Sequence, residues 1–176
     1  MTKKRATSDE QRATAVDEYF MAQALKEAQK AYEKKEVPIG AVLVYEGKII
    51  SRGHNLRESK LNPLYHAEII AIDKAAKKLK RWRLSDTKLY VTVEPCPMCM
   101  GAIINSRISE VVYGADDEKA GACGTVLNLS KYKQLNHRAK IKKGILKQEC
   151  KEIIQDFFKR VRLVRLCKID EFLNLT

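Results

Sequence analysis

The chain has 176 residues, 45% of them hydrophobic, and a formal net charge of +12, which suits one globular domain with a substantial core and excludes a largely disordered chain. Its five cysteines are odd in number and unevenly spaced, so they do not read as a secreted disulfide framework, and the start M-T-K-K-R-A-T-S-D-E has no apolar stretch for a signal peptide. No run approaches a membrane span, and the expected compartment is a reducing cytoplasm in which Cys123, Cys150 and Cys167 are free thiols.

Residues 1–14 are polar and aperiodic, and are expected to form a flexible tail before a single domain over 15–168, with 169–176 as a second tail. From Val16 to Lys35, apolar residues at Phe20, Ala24, Leu25, Ala28 and Tyr32 predict an amphipathic helix closed by Pro38. Ile39–Tyr45 and Lys48–Ser51, joined by Glu46-Gly47, predict a β-hairpin. The segment His54–Tyr65 reads as loop, with Asn62-Pro63 as a turn signal. A helix is expected from His66 to Leu79, burying Ile69, Ile70, Ile72, Ala76 and Leu79. Lys88–Val93 alternates as a strand should, and Pro95 and Pro97 around Cys96 mark the start of another helix ending near Asn105. Ile108–Tyr113 predicts a further strand and Gly114 opens a loop. Lys140–Ile145 is a weaker fifth strand, and Gln148–Leu166 a long basic helix. Strands alternating with helices after an opening hairpin imply a layered α/β domain with a mixed sheet.

Charge is concentrated rather than spread. Lys131–Lys168 holds 13 Lys or Arg against three acids, and Lys74–Arg83 adds six basic residues and no acid. Such surfaces suit a polyanion, with nucleic acid the simplest candidate and a merely solvated face the alternative.

The chemistry is carried by His66-Ala67-Glu68 and by Pro95-Cys96-Pro97-Met98-Cys99. Cys96 and Cys99, three apart at a helix start, can reach one ion, and the positive end of the helix favours their thiolates. His66 supplies a third ligand. Glu68, two residues on, shares the site with His66 only at the beginning of a helix, where it serves better as a base than as a ligand. Two thiolates leave the zinc with roughly no net charge, so its water is acidified less than on three histidines and a nearby carboxylate is needed. Glu68 would take that water's proton and return protons to the ring nitrogen and the departing ammonia. The alternatives are a redox pair or a structural zinc site completed by Cys123, Cys150, Cys167, His54 or His137, none of which forms a second close-spaced pair.

The pattern is that of zinc-dependent nucleobase deaminases. Over about residues 16–165 the chain resembles the bacterial tRNA-specific adenosine deaminases of the cytidine deaminase-like superfamily. The matching pieces are V-P-I-G-A-V-L-V at Val37, G-H-N-L at Gly53, H-A-E-I at His66, L-Y-V-T-V-E-P-C-P-M-C at Leu89, V-V-Y-G-A-D-D at Val111, K-A-G-A at Lys119, N-H-R at Asn136 and D-F-F-K-R at Asp156. The resemblance implies a three-layer α/β/α fold with a five-stranded mixed sheet and one Zn2+ per subunit on His66, Cys96 and Cys99. It implies Glu68 as the proton shuttle, with Asn55 and Ala67 against the flipped nucleoside. Asp117, Lys119, Asn136, His137, Phe158 and Arg162 would meet a tRNA anticodon stem-loop, and the protein would be a homodimer. The chain departs from the family at Leu64, Tyr65, Met100 and Cys123. Rival readings are a deaminase of free guanine or cytosine, which would share every zinc residue, and a zinc-stabilised RNA-binding module without catalysis.

Overall fold

The computed structural model describes residues 8–173, with side chains through residue 164. Five strands form one mixed sheet in the order β2-β1-β3-β4-β5. β1 (Gly40–Tyr45) lies antiparallel to both β2 (Lys48–His54) and β3 (Thr87–Val93), whereas β3, β4 (Glu110–Ala115) and β5 (Lys140–Lys143) run parallel. The expected hairpin turns at Glu46 and Gly47, both at positive φ (49° and 70°), the conformation that suits the twist of paired strands.

Central strands covered on both faces read as nearly continuous apolar runs, and each alternate residue enters a different core. Ala41, Leu43, Leu89, Val91, Val111 and Tyr113 face α2 (Ala67–Leu79) and α3 (Pro97–Ser106). Val42, Val44, Tyr90 and Val112 face α1 (Ser8–Glu33) and α4 (Lys147–Leu173). The result is the expected three-layer α/β/α arrangement. On the α1 side, the buried Tyr90 hydroxyl donates to Asp17 (2.7 Å), which also accepts from Lys142 (2.6 Å), tying α1 to β3 and β5.

Four expectations need correction. The flexible tail over residues 1–14 is helix from Ser8 onward: its first turns face solvent and so carry no apolar stripe, while Asp9 and Glu10 favour the positive helix end; residues 1–7 lie outside the described residues. The last helix runs to Leu173, past the expected boundary at residue 168. β2 continues to His54, which had been assigned to the loop, because Gly40–Leu43 offers it a full set of ladder partners. The buried face of α2 is Ala67, Glu68, Ala71 and Ala75; Ile72 and Leu79 flank it, and Ile69, Ile70 and Ala76 are half-buried. Small residues win because the helix presses onto β2 at Gly53, where a Cβ would stand 2.2 Å from the Ala67 carbonyl oxygen.

Candidate metal centre

Two helix beginnings converge at one end of the sheet. His66 is the N-cap of α2 in extended conformation (φ −75°, ψ 154°), so it and Glu68 escape the divergent spacing of a regular helix. Cys96 is the N-cap of α3, Pro97 follows it, and Cys99 lies at the third helical position, close to the N-cap by the geometry of any first turn. β3 feeds this turn directly, and the Cys96 carbonyl accepts from Met100 N (2.8 Å).

His66 Nδ1 lies 3.7 Å from Cys96 Sγ and 3.5 Å from Cys99 Sγ, and the three ligand atoms fall within 4.8 Å of one another. Tetrahedral zinc with Zn–S near 2.3 Å and Zn–N near 2.0 Å separates such donors by about 3.5 Å, so the donor set and its spacing fit that ion. The thiols divide their acidity unequally. A hydrogen bond from Cys99, assisted by one from His66, holds Cys96 down at about 4 against its burial, while the same bond and burial push Cys99 up. The bond to Cys96 raises His66.

No fourth protein ligand approaches among the described residues. His54 lies between Glu27 (3.1 Å) and Lys34 (2.9 Å), and His137 Nε2 is 2.7 Å from the Ile108 carbonyl. Cys123 packs on Met100 (Sγ to Sδ 3.6 Å), and Cys150 belongs to the opposite core. Cys167 lies among residues whose side chains are not described. Three candidate ligands with no fourth among the described residues are the pattern of catalytic rather than structural zinc sites. Glu68, 4% exposed, has one oxygen, Oε2, that is buried with no hydrogen-bond partner among the described residues. Burial raises its pKa. A buried polar atom without a hydrogen bond is costly, and a water on the fourth metal position is the partner that would satisfy it.

Two further buried glutamates build the walls, and sequence reading assigned neither a role. Glu36, 1% exposed, accepts from Ser59 N (2.7 Å), Glu58 N (3.2 Å) and Asn55 Nδ2 (3.4 Å). Asn55, expected against a nucleoside, is itself buried, and its main-chain N–H donates to Ile39 (3.0 Å). The loop closes with Asn62 Oδ1 accepting from Leu64 N (2.9 Å), the expected turn; Leu64 and Tyr65 are exposed. Glu94 gathers the facing loop, accepting from Cys123 N (2.8 Å), Thr125 N (3.2 Å), Asp117 N (3.3 Å) and the Thr125 hydroxyl. The hints in the sequence are Glu36 directly before the matched V-P-I-G and Glu94 within the matched L-Y-V-T-V-E-P-C-P-M-C.

Of the residues expected to meet RNA, Lys119, Phe158 and Arg162 come together, lining a groove of about 640 Å³ with Ile154, Gln155, Lys159 and Val161. The adjacent phenylalanines divide roles: Phe157 packs edge-on against Tyr32 (5.7 Å), leaving Phe158 45% exposed. Asp117 is committed to its own turn, accepting from Lys119 N (2.9 Å) and Ala120 N (3.1 Å). Asn136 and His137 lie elsewhere. Asn136 accepts from Arg107 (2.5 Å) and His137 binds the Ile108 main chain, at the far end of α3, about 15 Å of helix from Cys96.

Comparison with known proteins agrees with this geometry. Residues 15–162 match the family described as MafB19-like deaminase. The tRNA-specific adenosine deaminase of Bacillus subtilis is 51% identical over 146 residues, 83% of this chain and 91% of that protein. A solved structure from studies of A-to-I editing by tRNA:A34 deaminases at the wobble position superimposes with TM-score 0.75 at 41% identity, covering 77% of this chain and 98% of that one. Guanine deaminase from Bacillus subtilis superimposes with TM-score 0.56 at 37% identity, over 69% of this chain and 78% of that one.

Proposed function

This chain belongs to the family of tRNA-specific adenosine deaminases, and from that premise we propose that it hydrolyses adenosine to inosine at the wobble position of a tRNA anticodon. The observation that carries the chemistry is the three-ligand His66, Cys96, Cys99 set beside the unpartnered Glu68 oxygen. Zinc bound there supplies an acidified, correctly placed water.

The protein's own groups do the rest. Glu68, raised by burial, accepts the water proton and delivers it to the purine ring nitrogen, and a second transfer frees ammonia. Asn55 and Ala67 orient the base. An anticodon loop base is the economical substrate, since it has no pairing to lose before it is flipped.

The groove of Lys119, Phe158, Lys159 and Arg162 supports RNA over a free base: it joins an exposed ring suited to stacking with cations suited to phosphate. Asp117 shapes that groove's rim, while Asn136 and His137 would meet the stem farther from the reacting base. We assign a cytoplasmic location and a homodimer, to which Val126, Leu127 and Tyr132, at 52%, 40% and 54% exposure, would contribute apolar surface; sedimentation at micromolar concentration checks this. No described helix is long and apolar enough to cross a membrane. The test of function is incubation with total tRNA and sequencing for A-to-G changes, beside free adenosine, guanine and cytosine. Deamination of free bases rivalling that of tRNA would favour the guanine-type reading.

A further inference from the structure

Glu36 stands outside the candidate metal set and touches no reacting atom, yet at 1% exposure it is the most buried charged side chain among the described residues. It lies in the middle of α1's connection to β1, against the segment 55–59. Burying a carboxylate is costly unless donors surround it, and here every donor belongs to one wall of the site. Two are main-chain N–H groups, Glu58 and Ser59, and the third is the side-chain amide of Asn55.

The consequence lies in the chemistry of an amide. Asn55 has two ends of nearly equal shape, one a double donor and one an acceptor, and a flip exchanges them at little steric cost. A carboxylate can only accept, so Nδ2 must face Glu36. We infer that Glu36 is a positioning residue that fixes the amide orientation of Asn55, so that the pocket meets a purine with one set of donors and acceptors and not its reverse. This rests on the reading of Asn55 as a nucleoside contact.

Replacing Glu36 by Gln makes the point testable. A glutamine has one acceptor oxygen to offer. The shortest bond is Ser59 N to Oε1 (2.7 Å), so the oxygen is best kept there and the new NH2 replaces Oε2, facing Asn55 Nδ2 (3.4 Å) and the Glu58 N–H (3.2 Å). The Glu58 N–H loses its acceptor in both Asn55 backgrounds alike, a cost to the loop and not to the amide's orientation. The Asn55 amide then flips to present its oxygen, and the pattern facing the substrate inverts. The substitution is isosteric and leaves His66, Glu68, Cys96 and Cys99 untouched.

The experiment is a double-mutant cycle on zinc-loaded, folded full-length protein, measuring turnover at saturating tRNA and KM for Glu36→Gln, Asn55→Ala and the pair. Glu36→Gln should lower turnover about tenfold or more with KM for tRNA changed less than about twofold. In the Asn55→Ala background, the second substitution should cost nothing further, because a group acting through Asn55 has nothing left to act on. An equal loss in both backgrounds would assign Glu36 to holding the loop alone and overturn the inference, as would wild-type turnover for Glu36→Gln. Wild-type turnover for Asn55→Ala would instead overturn the nucleoside contact. Should Glu36→Gln not fold, Glu36→Asp takes its place in the same cycle. It withdraws the acceptor and frees the Asn55 amide without inverting it, so turnover should fall less than for Gln in the wild-type background and not at all in the Asn55→Ala background, and an equal loss in both would overturn the inference.

Discussion

Gly53→Ala is the substitution whose effect can be worked most directly from the structure. A Cβ at this position would stand 2.2 Å from Ala67 O, 2.9 Å from Ala71 N and 3.2 Å from Ala67 C. All three are backbone atoms of α2, so no side-chain rotation relieves them. Ordinary contact begins at 3.4 Å, and β2 and the first turn of α2 must separate by about 1.2 Å. Asn55 follows Gly53 by two residues, and His66 and Glu68 flank Ala67, so the separation opens between the two sides of the reacting site. Misplacement by about 1 Å can cost about 100-fold in rate. Overpacking of this kind costs about 1–3 kcal/mol, or a Tm lower by about 2–12 °C for a domain of this size. Zinc should stay near one per chain, since both thiolates sit on α3 and the His66 ring can turn to follow. The assay is single-turnover deamination of tRNA with metal content and melting measured on the same preparation. Turnover within about threefold of wild type would refute the claim that the close approach of β2 to α2 sets the geometry.

Other outcomes separate the roles assigned above. Glu68→Ala should abolish turnover while metal analysis still finds about one zinc per chain, because the carboxylate moves protons and does not ligate; loss of zinc with Glu68 would overturn its role. Cys99→Ala should lose the metal and lower Tm, since three ligands leave no redundancy and the binding energy of a structural helix start goes with them; a zinc-replete, active variant would contradict the site. The groove is tested by Lys119→Ala, Lys159→Ala and Arg162→Ala combined. Arg160 is omitted because it already pairs with Asp156 (3.0 Å) and lies over Tyr32. tRNA affinity should fall and its dependence on log salt flatten by about 2 units for three lost phosphate contacts, with turnover at saturating tRNA near wild type. An unchanged slope would reduce the groove to a solvated face.

Most of the fold was readable because its signals are local. The Val42–Val44 and Leu89–Val93 runs, the Glu46-Gly47 turn and the stripe from Phe20 to Ala28 each declare their element within a few residues. Misreadings arose where the deciding partner is distant. Nothing near Ile69 and Ile70 says that the closer packing belongs to Ala67, Ala71 and Ala75; that follows from a glycine on another element, fourteen residues before Ala67, whose missing side chain admits the helix backbone. Likewise the first turns of α1 carry no stripe because they bury nothing, and periodicity is silent about a helix that faces water.

The site divides the same way, along the type of partner. A metal selects side-chain chemistry, so the proposed ligands His66, Cys96 and Cys99 leave a pattern in the sequence, and Glu68, the proposed base, stands two residues from the first of them. Glu36 and Glu94 work on main-chain N–H groups, which every residue but proline possesses, so their partners Ser59, Glu58, Cys123 and Asp117 carry no matching signature. Their acceptor-only chemistry nonetheless holds the two loops that flank the proposed ligands. Each carboxylate is 1% and 2% exposed respectively, and loss of either would strand buried donors at about 1–3 kcal/mol apiece. Substrate preference in this fold can therefore shift without any change in the zinc motif, through residues that hold the two loops rather than through those that hold the ion. That is why Asn55 and the residue beneath it are where the choice between an RNA adenosine and a free purine base is best tested.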